Sequence, residues 1–285
     1  MKRMAWVLLV LFYGLLKGGR ELVKKKAMGV STVMEVLVTY TALSFVLVLP
    51  EAGQAGGLRA DQYGWIALKS LMVFSAWMCS FHAIRRMPVS LYGVLDLSRV
   101  LFSTLLGALV LHEAMRVGQV CGLALVCAGL FMLKRGAARA PQPENVPAKY
   151  VVMAVASCLL NGVSGTLDKV LMRDMSSAQL QFWYTLFLLL MYVIYVLATR
   201  TPIDWKRAAK NGWIWLLAAM FVAGDRALFI ANGMEGSRVT VMTLIKQSGC
   251  LVTILGGKLM FGEKNIRYKL VCAAVVVAGI VVAVM

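Results

Sequence analysis

Acidic residues are scarce in this 285-residue chain: 13 Asp and Glu stand against 30 Lys and Arg, a formal net charge of +17. Histidine is nearly absent, and His82 and His112 fall in different apolar stretches, which argues against a zinc site. Cys79, Cys121, Cys127, Cys158, Cys250 and Cys272 all lie in apolar runs and form no Cys-x-x-Cys. They read as small packing residues rather than disulfide partners or metal ligands. No GxxxxGK[ST] loop occurs, so direct ATP coupling has no support. Proline is missing from the apolar runs: Pro50, Pro88, Pro141, Pro143, Pro147 and Pro202 all lie at their edges or outside them. Uninterrupted helices are therefore permitted.

Apolar side chains abound. They make up 60% of the chain, above the ~45–50% of a soluble domain, and the mean hydropathy is +0.77. The excess positive charge does not form a continuous face or an RNA-binding motif, so no nucleic-acid partner is expected. It gathers in short loops between apolar runs, the pattern that orients membrane helices.

One stretch recurs. Val89–Leu133 returns as Val239–Ala283 at a constant offset of 150, without a gap. The identical pairs include Ser98/Ser248, Gly107/Gly257, Glu113/Glu263 and Gly129/Gly279, which apolar composition alone does not produce. Each copy reads as an apolar helix, a turn carrying Glu, and a second apolar helix ending in Ala-Gly. Leu105 through Glu113 to Gly129, and again Leu255 through Glu263 to Gly279, resemble the end of an EamA domain of the drug/metabolite transporter superfamily. The resemblance implies two five-helix halves and a central substrate cavity, and no cofactor is expected. It says almost nothing about the substrate.

The expected fold is an all-α integral membrane protein with ten transmembrane helices as two inverted five-helix repeats. The halves are 1–133 and 150–285, joined by a linker over 134–149 that is rich in Ala, Pro and Arg. Lys2, Arg3 and the apolar run after them imitate a signal peptide, but no small-x-small cleavage site follows. Met4–Val23 is read as an uncleaved first helix closed by Lys24, Lys25 and Lys26. Further helices are expected near 31–49, 65–84, 89–111, 117–133, 150–171, 178–198, 213–233, 239–261 and 268–285, each near the ~20 residues that cross a bilayer. Gly118 and Gly122 have the small-xxx-small spacing that permits close helix contact. With five helices per half, the second half inserts upside down. Loop Lys and Arg divide about sixteen to seven between the two sides, which places the basic side in the cytoplasm and both termini outside. Family members are usually drawn with both termini inside.

The polar residues inside the spans carry the chemistry. A charge at mid-helix costs ~2.5–3.5 kcal/mol on insertion scales and calls for a partner, water or a function. At about 1.5 Å per residue, Lys17, Asp96 and Arg99 fall level in one half of the membrane. Asp225, Arg226 and Lys246 fall level in the other, with Asp225 and Lys246 expected to pair. Asn161 and Gln247 are candidate hydrogen-bonding groups for a solute, or interhelical contacts. Asp96 and Asp225 are candidates for proton coupling. Lys69 is expected to snorkel, while Asp168, Glu21 and Glu35 are expected to be solvated. Glu113 and Glu263 are expected to favour the N-terminus of the helix that follows each.

The function that fits is a secondary transporter, in the export direction, of a small polar metabolite such as an amino acid, or of a drug. A proton or exchanged solute is the expected coupling partner and the cell membrane the expected location. A non-transporting scaffold or a lipid-handling protein is the alternative.

Overall fold

The computed structural model describes residues 5–102, 117–139, 146–234, 242 and 245–284. Among them there is no strand. The helices are α1 Ala5–Val30, α2 Val33–Val48, α3 Ala60–Arg86, α4 Val89–Asp96 and α5 Val117–Arg139 in the first half. The second half has α6 Ala148–Leu171, α7 Ser177–Thr199, α8 Gly212–Gly233, α9 Ser248–Phe261 and α10 Ile266–Val284, plus a six-residue surface helix, Trp205–Lys210. Large apolar side chains such as Leu8, Leu197 and Leu259 point outward, as a bilayer requires. The chain is an all-α, multi-pass membrane protein.

Local chemistry sets the ends. Thr32 and Ser176 each accept from the amide of the third helical residue, whose Glu35 or Gln179 side chain accepts in return from the cap amide. These two capping boxes start α2 and α7. Pro88 and Pro147 precede α4 and α6. Two ends differ from expectation. The lysine triplet does not close α1, which continues to Val30, because Lys is a good helix former and Lys24 bonds Glu21 one turn back at 2.7 Å. Likewise α5 runs to Arg139, into the stretch expected to be linker.

Equivalent helices of the two halves lie against each other and run in opposite directions. A Cβ on Gly118 would meet the Val282 carbonyl at 3.0 Å, and one on Gly279 would meet that of Gly122 at 2.7 Å. Further along, Gly129 faces Cys272 and Val276, and the Tyr268 hydroxyl donates to the Met132 carbonyl at 2.5 Å. Residue numbers rise along α5 as they fall along α10. The α4–α9 contact runs the same way, Ser90 near Gly257 and Gly93 against Thr253. Exchanging the halves also maps α1–α8 packing onto α6–α3, and α2–α8 onto α7–α3. This is the inverted repeat. α1 also packs broadly on α9; most of the first-half stretch equivalent to α9 lies outside the described residues.

The helices that carry the repeat are interrupted at equivalent places. α4 ends at Asp96, a turn takes up Leu97 and Ser98, and helix resumes at Arg99. In the second half, Ile245 and Lys246 are helical, Gln247 is a turn, and α9 starts at Ser248. Three-residue hydrogen bonds replace the four-residue ladder there: Ser98 N–H to Leu95 O, Val100 N–H to Leu97 O and Cys250 N–H to Gln247 O. No proline is responsible. A serine sits beside each break, and serine hydroxyls compete for helical backbone partners.

Candidate functional site

The first break presents Asp96 to the middle of the bundle. Lys17 of α1 reaches its Oδ2 at 2.5 Å, and Arg99 Nη2, just past the turn, reaches its Oδ1 at 2.9 Å. Cys158 of α6 lies 3.8 Å from the same Oδ1, so one carboxylate touches both halves. The level match of Lys17, Asp96 and Arg99 read from helical rise is therefore a contact. Beside it lies a narrow cleft lined by Lys17, Glu21, Asp96, Gln247 and Thr253 among others, with room for about one water molecule. Gln247 is only 6% exposed, and among the described residues its amide has no hydrogen-bond partner.

Close backbone approach brings these groups together. A Cβ on Gly249 of α9 would meet the Gly14 carbonyl of α1 at 2.5 Å and the Gly18 amide at 3.0 Å. Gly14 and Gly18 are four apart, so α1 offers α9 a smooth groove. The sequence carried that spacing as plainly as the Gly118–Gly122 one.

The second expected set is not brought together. Asp225 does not pair with Lys246; its Oδ1 accepts from Arg20 Nη1 at 3.2 Å. Arg226 goes to Glu51 at 2.6 Å. Lys246 Nζ instead lies 5.8 Å from the centroid of the Tyr13 ring, with no carboxylate within 4 Å among the described residues. The cause is helix order. Among the described residues, α1 packs broadly on both α8 and α9 and lies between them, so these consecutive helices meet little there. Arg20, already inside the first helix expected from the sequence, occupies the place expected for Lys246.

Other assignments change on burial. Lys69 does not snorkel: it is 3% exposed, pairs with Asp168 at 2.8 Å, donates to Ser164 Oγ at 3.1 Å and lies 4.2 Å from the Tyr184 ring centroid. Asp168 is thereby an ion-pair partner rather than a solvated end group. Glu21, also expected at the surface, is 8% exposed and paired with Lys24. Glu35 is 1% exposed, caps α2, and accepts from Arg207 of the surface helix at 2.5 and 3.1 Å. Asn161 donates to Ser157 O of its own helix at 2.7 Å. The signal for the missed groups on α1 was available: Lys17, Arg20, Glu21 and Lys24 follow i, i+3, i+4, i+7, one helical face.

Glu263 does something not foreseen. Its Oε1 accepts from the Val89 amide at 2.6 Å, and its Oε2 from the Ser90 amide at 3.0 Å and from the Ser90 hydroxyl. It caps α4, across the halves, rather than the α10 that follows it. Pro88 provides no side-chain cap, so these two amides needed an acceptor. Gly262 makes the turn that delivers the carboxylate, at φ +63°, a left-handed conformation suited to glycine. Lys269 donates to the Ser90 hydroxyl at 2.9 Å, and Lys25 lies 3.6 Å from Glu263. Its repeat counterpart Glu113 lies outside the described residues. Also among the described residues, no three His, Cys, Asp or Glu gather as a metal site would need.

A solved crystal structure shares the fold at TM-score 0.69, with 18% identity over 99% of this chain and 98% of that one. Comparison with curated proteins finds no match. The model of the EamA-like transporter family matches residues 4–135 and again 148–285, the two halves that pack head to tail. The two matches together cover nearly the whole chain, one to each half of the bundle, and the chain belongs to the EamA-like transporter family.

Proposed function

We propose that the protein is a secondary transporter that carries a small polar solute through the interface of its halves by alternating access, outward from the cytoplasm. The observation that carries this is the Asp96 carboxylate, which sits at a helix break and is held by α1 and α4 while touching α6 of the opposite half. Buried ion pairs between rigid helices alone do not call for a break in the helix at the charge. Broken helices at matched positions are a recurring way to expose polar groups at mid-membrane. The units 1–133 and 150–285 act as the two moving parts in this scheme.

The basic end, where Lys25, Arg207 and Lys269 sit, faces the cytoplasm in the same reading, with both termini outside. Purified protein in liposomes, loaded in turn with amino acids, sugar phosphates and quaternary amines, tests the activity. Saturable counterflow that Asp96→Asn abolishes is expected, and right-side-out against everted vesicles gives the direction. A protein that exchanges none of these solutes above protein-free liposomes is a scaffold or lipid-handling protein instead.

A further inference from the structure

Among the described residues, the charges of the core do not balance. Each described carboxylate there has a cation within 3.2 Å: Asp96 with Lys17, Asp225 with Arg20, Glu21 with Lys24, and Asp168 with Lys69. Two cations are left over. Arg99 shares Asp96 with Lys17, and its buried Nε has no partner. Lys246 has only the face of Tyr13. Both remain partly accessible, Arg99 with 25% of its side chain exposed. Ser90 lies against Gly257 and Gly93 against Thr253, and that antiparallel register, continued, brings Arg99 level with Gln247 and Lys246; Asp168 and Asp225 have nearer cations of their own. A charge inside a membrane is stable only with a counter-charge or water. Next to Lys246, the Gln247 side chain is nine-tenths buried, lines the cleft and lacks a partner among the described residues, so a neutral hydrogen-bonding group accompanies the cations.

We propose that Arg99 and Lys246 form an anion subsite, and that the solute is a small organic anion whose carboxylate supplies the missing counter-charge there. Lys246 and Arg20 both lie near the Tyr13 ring, 5.8 and 5.5 Å from its centroid, but only Arg20 reaches Asp225. Quaternary amines and other cationic drugs are disfavoured by the same surplus. The solute assignment rests on the transport reading above; the anion subsite itself does not.

The test uses full-length protein in a neutral maltoside detergent free of anionic lipid, so that no lipid headgroup supplies the anion. Acetate, benzoate and N-acetylleucinate are titrated against their matched amides and amines at constant ionic strength, following the thermal midpoint. At least one carboxylate should stabilise the protein saturably while its amide and amine do not. Lys246→Met should weaken that carboxylate about tenfold or more, as loss of a charge-assisted bond does, and Lys246→Arg should retain it. Without ligand, Lys246→Met should match or exceed the wild-type midpoint, whereas Lys17→Met, which strips a paired carboxylate, should lower it. Preference for the amines, no response to any carboxylate, carboxylate binding unchanged in Lys246→Met, or an unliganded Lys246→Met less stable than wild type would each overturn the proposal. Carboxylate binding that depends on Lys246 without flux in liposomes would instead remove the transport reading and leave the subsite standing.

Discussion

Glu263 and Val89 are 174 positions apart in the chain, yet the carboxylate of one accepts the amide hydrogen of the other at 2.6 Å. The turn in the middle of the second half's repeat is thereby the cap that opens the first half's repeat. Loss of a helix cap costs ~0.5–2 kcal/mol, so Glu263→Ala should lower the thermal midpoint measurably. Glu263→Gln keeps an acceptor but loses the charge near Lys25, and should fall between Ala and wild type. Equal midpoints for all three proteins would show that α4 does not depend on this cap.

At the α1–α9 contact the neighbours of Gly249 are backbone atoms of Gly14 and Gly18, which cannot turn aside as a flexible side chain can. Gly249→Ala should therefore separate the two helices and cost on the order of 1–3 kcal/mol, the range for overpacking. Gly165→Ala on α6 is the matched control, since a Cβ there meets nothing within 4 Å. Thermal midpoints of the two variants, compared side by side, decide the matter: similar losses would contradict the tight packing.

Arg20 and Asp225 should behave as a unit. Removing one member of a buried pair strands the other, at a cost of ~3–5 kcal/mol. Asp225→Asn and Arg20→Met should each destabilise strongly, and the double variant should lose less than the sum. The cycle of Asp225→Asn with Lys246→Met should show much weaker coupling, because no ion pair joins them. Stronger coupling to Lys246 than to Arg20 would reverse the assignment.

The positive-inside count makes a direct claim about topology. A reporter fused after Met285 should be active only when it works outside the cytoplasm, as alkaline phosphatase does. Cytoplasmic activity of a fluorescent fusion at that position would show the whole bundle to be inserted the other way.

What was legible in the sequence was what depends on the chain's own regularities. The repeat showed itself through Ser, Gly and Glu matches, and its inversion through the odd number of helices. Lys17, Asp96 and Arg99 could be matched because depth follows from counting residues along a helix. Facing does not. Asp225 and Lys246 are equally level, but which helix fills the space between α8 and α9 is a tertiary fact, and it is α1. Lysines 24–26 looked like a membrane boundary because isolated lysines avoid lipid. Lys24 escapes that rule by pairing with Glu21 inside the bundle. Lys69 was misplaced for the same reason: its partner Asp168 lies on a helix of the other half. The target of Glu263 could not be found locally, since an acidic residue before a helix normally serves that helix.

The head-to-tail packing of α5 against α10 has one more consequence. Gly118 meets Val282 at one end of that seam, and Met132 meets Tyr268, the repeat counterpart of Gly118, at the other. Each end is thus a rough copy of its opposite, as in a dimer of identical parts. Such a seam does not require a covalent tether. Residues 1–139 and 146–285 made as separate polypeptides, each inserted in its own orientation, would carry all the described surfaces needed to find one another in the bilayer.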